Sequence, residues 1–295
     1  MNNHNRGLLL VSIGTIFLST SPILTRWVAD LPAGEIAFFR MLLGSMFIFI
    51  MSKVTGTGIW LKIKDMPKFL LYGLITALHF LLYIASLMYT SIAHSLSLVY
   101  TAPIMIAVLT ALFFKEPIPR HKYLGIFMVI LGIIILAGFE PMLTKEMILG
   151  DVMAIGSALC LALYSIAGRR ERDNYPLFQY VFWVYFLAAI FLLPVALKNF
   201  SLPTPKNFAI LLLIALLPTT LGHTLYNAGL RYVHPAYANL IMTQEITSGI
   251  LLGYFLLGEV PSKNSIMGVI IMLIGLWQVL HARSLDKNQT LGRKT

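Results

Sequence analysis

An internal duplication constrains this chain more than any other feature of its sequence. Residues 76–89 and 219–232 are offset by 143 positions, and seven of their fourteen aligned residues are identical. The same register continues without a gap through Ala93/Ala236, Leu109/Leu252, Glu116/Glu259, Gly125/Gly268 and Gly132/Gly275. A weaker match pairs residues 13–15 with residues 155–157. The chain is therefore expected to contain two copies of one structural unit.

The composition places both copies in a membrane. Hydrophobic residues make up 58% of the 295 residues and charged residues only 12%, and the mean hydropathy is +0.81. A soluble chain of this length is far less apolar, so we expect a polytopic protein surrounded by the lipid bilayer. The net charge of +10 does not indicate a nucleic-acid partner, because the basic residues lie between the apolar runs. Cys160 is the single cysteine, so neither a disulfide framework nor a cysteine metal site is expected.

Ten segments are long enough to span a membrane. A spanning helix needs about 20 apolar residues to cross about 30 Å of hydrocarbon. The predicted spans, numbered from first to tenth, are residues 7–28, 34–53, 67–89, 93–114, 121–139, 149–168, 176–197, 206–230, 235–257 and 263–282. The first is expected to be a retained span rather than a cleaved signal, because the second copy repeats it. The sequence thus predicts an all-α membrane protein of ten transmembrane helices.

Each copy holds five spans, so the second copy must enter the membrane from the side opposite to the first. Cytoplasmic loops are enriched in lysine and arginine. With a cytoplasmic N-terminus, sixteen of these residues lie on the inner side and four on the outer side. We therefore predict two inverted five-helix repeats, residues 1–142 and 143–284, with both termini cytoplasmic. Residues 285–295 are polar and predict a disordered cytoplasmic tail.

Inverted repeats are typical of alternating-access transporters, whose substrate lies between the two halves near the midplane of the membrane. The chain has no GxxxxGK[ST] loop, no HExxH motif and no serine-histidine-aspartate set within the spans. An enzyme or an ATP-driven pump is therefore not expected. A non-transporting membrane receptor or partner subunit remains the alternative.

Several short segments carry a resemblance to a known family. They are residues 31–40 at the start of the second span, residues 89–93 with Pro103, Lys115-Glu116-Pro117 with Gly125, and, in the second copy, Gln244-Glu245, Leu257-Gly258-Glu259 and Gly268. This pattern, which covers almost the whole chain, resembles the EamA type of the drug/metabolite transporter superfamily. Two departures, Leu18-Ser19-Thr20 in the first span and Ile246 after Glu245, concern the substrate rather than the fold.

The resemblance implies a ten-helix carrier of the bacterial or archaeal inner membrane, built as two inverted repeats. Members of the family move amino acids, nucleobases, vitamins, other small metabolites or drugs. We predict a secondary active transporter that exports amino acids or related compounds. A monomer is expected, with a small-molecule substrate, with protons as a candidate coupling ion, and without cofactor or metal.

Polar side chains within the spans indicate the site. Glu245 lies in the middle of the ninth span, beside Gln244, and an ionised carboxylate there costs about 2.5 to 3.5 kcal/mol on insertion scales. We expect Glu245 to be neutral when the cavity is dry and ionised when water, a cation or a zwitterion reaches it. The alternative is a structural carboxyl group that is protonated or paired with a neighbouring helix.

Two other spans, the third and the eighth, carry polar residues spaced by four, which places them on one helix face. These pairs are His79 and Tyr83 in the third span, and His223 and Asn227 in the eighth. The fourth span contributes a further polar residue, Tyr100. Since Tyr83 and Tyr226 are repeat partners, we expect the two tyrosines to approach a common midplane from opposite sides. The predicted substrate-binding residues are His79, Tyr83, Tyr100, His223, Asn227, Gln244 and Glu245. For each aromatic residue, helix packing remains the alternative.

Two arginines and three prolines within or beside the spans also have predicted roles. Arg40 is interpreted as an anchor between the first two spans, and Arg26 as a residue that reaches the outer surface or binds a substrate carboxylate. Pro22, Pro103 and Pro218 interrupt the first, fourth and eighth spans and are candidate hinges. The fifth and tenth spans, which are nearly free of polar groups, are expected to form a peripheral scaffold.

Overall fold

A computed structural model describes residues 2–114, 123–137, 144–258 and 263–281, together with residues 120 and 260. The predicted tail at residues 285–295 lies outside the described residues. Within the described ranges the chain is helical and contains no β-strand.

Fourteen α-helices, one 3₁₀ turn and one π-helical segment are described. The helices are α1 (Asn3–Leu18), α2 (Ser21–Trp27), α3 (Ala33–Val54), α4 (Met66–Tyr89), α5 (Ile92–Val99), α6 (Ala102–Phe114), α7 (Tyr123–Ala137), α8 (Lys145–Glu171), α9 (Leu177–Leu197), α10 (Pro205–Ile214), α11 (Thr224–Leu230), α12 (Pro235–Met242), α13 (Gln244–Leu257) and α14 (Lys263–His281). The 3₁₀ turn is Ile63–Asp65, and the π-helical segment, Ala215–His223, joins α10 to α11.

Eight helical stretches in the described part of the chain are long and apolar enough to cross a membrane. They coincide with the predicted spans one to four and six to nine. The fifth and tenth predicted spans correspond to two shorter apolar stretches, Tyr123–Ile135 and Ile266–Gly275. The protein is therefore an all-helical, multi-pass membrane protein, and the number of ten spans stays a prediction.

Four of the predicted spans are interrupted near their middle. The first breaks at residues 19–20, the fourth at residues 100–101 and the ninth at Thr243. The eighth keeps its course but widens into the π-helical segment. The breaks expected from Pro22 and Pro103 are thus confirmed, and Pro218 lies inside the π-helical segment.

Hydroxyl side chains donate hydrogen bonds to backbone carbonyl oxygens at these interruptions. Thr20 donates to Phe17 O at 2.7 Å, Thr101 to Leu98 O at 2.7 Å, and Thr243 to Leu240 O at 2.7 Å. In the π-helical segment, Thr219 and Thr220 donate to carbonyl oxygens five residues earlier. Because lipid offers no hydrogen bonds, such internal partners are what permit a broken helix at membrane depth.

Glycine contacts show how the two copies face each other. A Cβ atom added at Gly7 would lie 2.8 Å from Tyr232 Cβ, and one added at Gly150 would lie 3.0 Å from Tyr89 Cβ. The offset of 143 residues converts the first contact into the second. The first predicted span thus packs on the eighth as the sixth packs on the third.

The pair α7 and α14 repeats this reciprocity. A Cβ atom at Gly132 would lie 2.5 Å from Gly268 O, and one at Gly275 would lie 2.6 Å from Gly125 O. Again the offset of 143 residues exchanges the two contacts. Contacts that occur twice with the partners exchanged are those that a two-fold axis produces. The same two helices, which correspond to the fifth and tenth spans, contribute no residue to the cavity described below.

Candidate functional site

A small cavity lies where the helix interruptions converge. Ser21 borders the break of the first span, Tyr100 lies in that of the fourth, Met242 borders that of the ninth, and His223 ends the π-helical segment. The complete lining is Leu18, Ser21, Arg40, His79, Phe80, Tyr83, Leu96, Val99, Tyr100, Leu161, His223, Met242 and Glu245. Both copies contribute, so we call this space the central cavity.

The central cavity is closed and narrow. All of its lining side chains are buried, and its volume is ≈ 20 Å³. That volume has room for about one water molecule. Any organic solute would therefore have to move the walls apart.

Glu245 brings a carboxylate into the central cavity. It belongs to the first turn of α13, directly after the break at Thr243, and is only 4% exposed. Tyr83 donates its hydroxyl to Glu245 Oε1 at 3.1 Å, and Tyr100 donates to Oε2 at 2.5 Å. Two neutral donors from α4 and from the break of the fourth span thus hold both carboxylate oxygens.

Arg40 brings a guanidinium group into the same cavity. It lies in the middle of α3 and is 1% exposed. Its Nε donates to Thr219 Oγ1 and its Nη1 to Ser21 Oγ, both at 2.8 Å. The face of the Phe80 ring lies 4.5 Å from Arg40 Cζ, a cation–π distance. Arg40 does tie α3 to the first span, as expected of an anchor, but it also reaches the eighth span and lines the cavity.

Two histidines complete the polar wall. His79 Nδ1 lies 2.9 Å from Ser157 Oγ on α8, and the His79 ring stacks on Tyr83 with centroids 6.2 Å apart. His223 presents its ring edge to Phe80 at 5.1 Å, and its Nδ1 has no hydrogen-bond partner in the described structure. Among the described residues, no three His, Cys, Asp or Glu side chains cluster as a metal site.

Five of the seven predicted substrate-binding residues line the central cavity: His79, Tyr83, Tyr100, His223 and Glu245. The other two do not. Asn227 lies one turn beyond His223 and donates to the Tyr164 hydroxyl and to His223 O. Gln244 is half-buried on another face of α13 from its neighbour Glu245. The binding role of all seven stays a prediction.

The repeat partner of Tyr83 has a different environment. Tyr226 donates to Ser165 Oγ and accepts from Asn239 Nδ2, both at 2.6 Å, and it does not line the cavity. Of these two repeat partners, only Tyr83 lines the central cavity, and their approach to a common midplane stays a prediction.

Sequence reasoning missed Arg40, Ser21 and Phe80 as residues of the cavity. Arg40 had a usable signal, since it lies within a span and the nearest acidic residue, Glu35, is not one helical turn away. In the structure Glu35 accepts from Ser201 instead. Phe80 also had a signal, because the offset of 143 residues pairs it with His223.

Polar contacts close the molecule on both sides of the cavity. Toward one face, Arg26 donates to Thr90 O at 2.7 Å, and His94 Nδ1 lies 2.6 Å from Asp151. Toward the other face, Glu171 is buried, accepts from Tyr72 at 2.7 Å and lies 3.6 Å from Lys68 Nζ. Each set joins helices that would have to separate if the cavity opened to that face.

Comparison with known proteins agrees with this architecture. A model of the EamA-like transporter family matches residues 5–138 and 148–280. The chain is 25% identical over 274 residues to the pseudopaline exporter CntI of Pseudomonas aeruginosa (strain UCBPP-PA14), covering 91% of this chain and 93% of that protein. It is also 25% identical over 276 residues to the uncharacterized transporter YdfC of Bacillus subtilis (strain 168), covering 88% and 89%. One solved crystal structure superposes with a TM-score of 0.78 at 15% identity, covering 94% of this chain and 97% of that one.

Proposed function

The chain belongs to the EamA-like transporter family of the drug/metabolite transporter superfamily, and from this membership we propose that it moves a small organic metabolite across the inner membrane by alternating access. Its relatives are named as transporters, and it is a membrane transporter. The secondary active mechanism and the site are the parts that we propose.

One observation carries the proposal. The central cavity is lined by residues at four interrupted spans drawn from both halves of the chain, and it is closed toward both faces. Interrupted helices around a midplane site are the usual construction of secondary transporters. We interpret the structure as the occluded conformation, in which neither face is open.

The substrate that fits this cavity best is an amino acid or a related compound. The cavity presents a carboxylate, a guanidinium group and apolar walls within one enclosed space. Export is supported by a relative that is named as an exporter. Protons are the candidate coupling ion, because Glu245 can carry one.

The proposed function also implies a transmembrane topology for the chain. We propose ten spans in two inverted repeats, residues 1–142 and 143–284, with both termini in the cytoplasm of a bacterial or archaeal cell. The reciprocal glycine contacts support a two-fold relation between the repeats. The transport unit is a monomer, since the central cavity is formed within one chain.

Counterflow into liposomes tests this function. Purified full-length protein is reconstituted into vesicles loaded with an unlabelled solute, and uptake of the same labelled solute is measured for amino acids, amines, nucleobases and vitamins. Saturable uptake of at least one of these solutes is expected. Val99→Leu adds a methylene group to the wall of the narrow cavity and should abolish uptake. Val152→Leu is the matched control, because Val152 is 62% exposed on α8.

The outcomes separate a carrier from the alternative. Solute-dependent thermal stabilisation without flux would identify a non-transporting receptor, because ligand binding stabilises a protein whether or not it transports. Equal uptake by both valine variants would remove the central cavity from the transport path. Absence of both flux and stabilisation for every solute class would contradict the proposed function.

A further inference from the structure

A guanidinium group and a carboxyl group of opposite charge type line the central cavity without forming an ion pair. Arg40 is 1% exposed and Glu245 is 4% exposed, yet no carboxylate lies within 4.0 Å of the Arg40 guanidinium among the described residues. Tyr83 stands near both: its hydroxyl binds Glu245 at 3.1 Å, and its ring centroid lies 6.0 Å from Arg40 Cζ. Each of the two groups is held by neutral hydroxyl partners instead of by the other.

This separation is unusual for buried charges. Removing a charge from water costs several kcal/mol, and proteins normally offset that cost by direct pairing. Here Ser21 and Thr219 hold the guanidinium through Nη1 and Nε. No hydrogen bond is formed by Arg40 Nη2 within the described residues. A guanidinium group presents its nitrogens as a planar fork that suits a carboxylate, so Arg40 retains a free donor on a positioned side chain.

Besides its polar side chains, the wall of the cavity has an apolar part. Leu18, Leu96, Val99, Leu161 and Met242 surround the two charged groups. These side chains can pack against a hydrocarbon group but offer no hydrogen bonds. A ligand that pairs with both charged groups and packs against these apolar side chains therefore has an anionic end, a cationic end and an apolar part.

We propose that Arg40 binds the carboxylate of the substrate and Glu245 its ammonium group, so that the site recognises zwitterionic amino acids with apolar side chains. This inference rests on the proposed function and names the residues that determine its specificity. The bound zwitterion supplies to each buried charge the counter-ion that the protein itself withholds. Arg40 is then a binding residue as well as an anchor.

The test uses matched probes that lack one charge. Full-length protein in detergent is titrated with L-leucine, L-leucinamide, which has no carboxylate, and 4-methylpentanoate, which has no ammonium group. L-phenylalanine, L-phenylalaninamide and 3-phenylpropionate form a second set with a larger side chain. For at least one set, the wild-type protein should bind the zwitterion at least about tenfold more tightly than either partner, since a hydrogen bond to a charged group contributes at least that much.

Reciprocal variants assign the two ends. Arg40→Gln should bind the amino acid and its amide with similar affinity, but should still prefer the amino acid to the des-amino acid. Glu245→Gln should lose the second preference and keep the first. If Arg40 had a purely structural role, Arg40→Gln would weaken the binding of all three probes by the same factor. If Arg40→Gln does not fold, Arg40→Lys takes its place in the test. Lysine keeps the positive charge without the planar fork, so this variant should retain part of the preference for the amino acid over its amide.

Two results would overturn the inference. One is a wild-type protein that binds an amide or a des-amino acid as tightly as the amino acid, or that binds no amino acid. The other is an Arg40→Gln protein that still prefers the amino acid to its amide. If counterflow of an amine, nucleobase or vitamin is observed at the same time, the transport function stands and only the zwitterion assignment fails.

Discussion

Glu245 is the residue at which burial and charge conflict most directly. Its carboxylate lies at membrane depth with a single hydroxyl donor on each oxygen, from Tyr83 and from Tyr100. Neither donor carries a charge that would compensate an ionised carboxylate. We therefore propose that Glu245 exchanges a proton for a cationic group or for water when the cavity opens, which would couple proton movement to solute movement.

Glu245→Gln tests this exchange. Glutamine keeps the size and the hydrogen bonding of the side chain but cannot release a proton, so the folded protein should survive and counterflow should lose its dependence on pH. We expect the solute to bind more weakly as well, by about 1.5 to 3 kcal/mol if its ammonium group contacts the carboxylate. Counterflow across a pH series, with thermal unfolding of the same samples, measures both effects.

Glu35→Gln is the matched control. Glu35 is 0% exposed, but its carboxylate binds Ser201 outside the cavity, so its substitution should leave the pH profile unchanged. A Glu245→Gln protein with the wild-type profile would contradict the role of Glu245. The next substitutions would then be made at His79 and His223, which line the same cavity.

The sequence predicted Glu245, Tyr83 and Tyr100 because polar groups are costly in a membrane and so point to an interior position. The same argument applies to Arg40. Its predicted role as an anchor between the first two spans accounts only for its hydrogen bond to Ser21. Its other contacts, to Thr219 and Phe80, join residues 179 and 40 positions away. Contacts of that separation follow from tertiary packing, which one sequence without an alignment does not specify.

At the scale of helices, the interruptions place the site. Three of them were predictable because proline lacks the amide hydrogen that a continuous helix requires. The break of the ninth span contains no proline, but Thr243 is the repeat partner of Tyr100, which lies in the break of the fourth span. The duplication therefore predicted that break indirectly. The π-helical form of the eighth span had no local signal.

Pro218→Ala tests whether the π-helical segment serves transport. Pro218 cannot donate to Ile214 O, and Thr219 Oγ1 donates to that oxygen at 2.9 Å while it accepts from Arg40. Alanine permits a regular helix, which would rotate Thr219 and His223 away from the cavity. Because proline inside a helix costs up to about 3 kcal/mol, we expect stability to remain equal or rise while counterflow falls.

Pro194→Ala is the companion variant. Pro194 lies inside α9 on an exposed surface and does not line the cavity. Its substitution should change stability in the same direction and leave counterflow intact. If Pro218→Ala retains full counterflow, the widened turn is a packing feature without a part in transport.

At the scale of the whole molecule, the reciprocal contacts of α7 and α14 make a prediction about symmetry. A Cβ atom at Gly132 or at Gly275 would meet backbone atoms at 2.5 or 2.6 Å, so each alanine variant should lower stability by about 1 to 3 kcal/mol through overpacking. The double variant should cost less than the sum, because one separation of the helices relieves both clashes. Thermal unfolding measures the three values.

Gly58→Ala is the control for this series, since nothing lies within 4 Å of its added Cβ atom. Unequal effects at Gly132 and Gly275, or strictly additive ones, would contradict a two-fold relation at this contact. The contact itself could be expected from the sequence only as two small residues at matching positions. Which helix each glycine faces became visible in the structure.

Transmembrane topology is the property of the whole chain that the sequence predicts most sharply. Helix packing does not determine which side of the membrane each loop faces. The described spans are defined by length and composition, which do not distinguish the two sides of a membrane. The basic residues do, with sixteen on one side and four on the other, and this bias orients membrane proteins during insertion. Residue 62 should therefore face the cytoplasm and residue 202 the outside.

Single cysteines test this orientation in a Cys160→Ala background, which removes the one native thiol. Lys62→Cys and Leu202→Cys place a thiol at exposed positions, and Leu202 is 86% exposed. A maleimide that cannot cross the membrane should label Leu202→Cys in intact cells and should label Lys62→Cys only after the cells are opened. Because five predicted spans, the third to the seventh, lie between residue 62 and residue 202, labelling of both from the same side would require an odd number of crossings to be lost. That result would contradict the inverted repeats, and with them the opposed approach of the two halves to the central cavity.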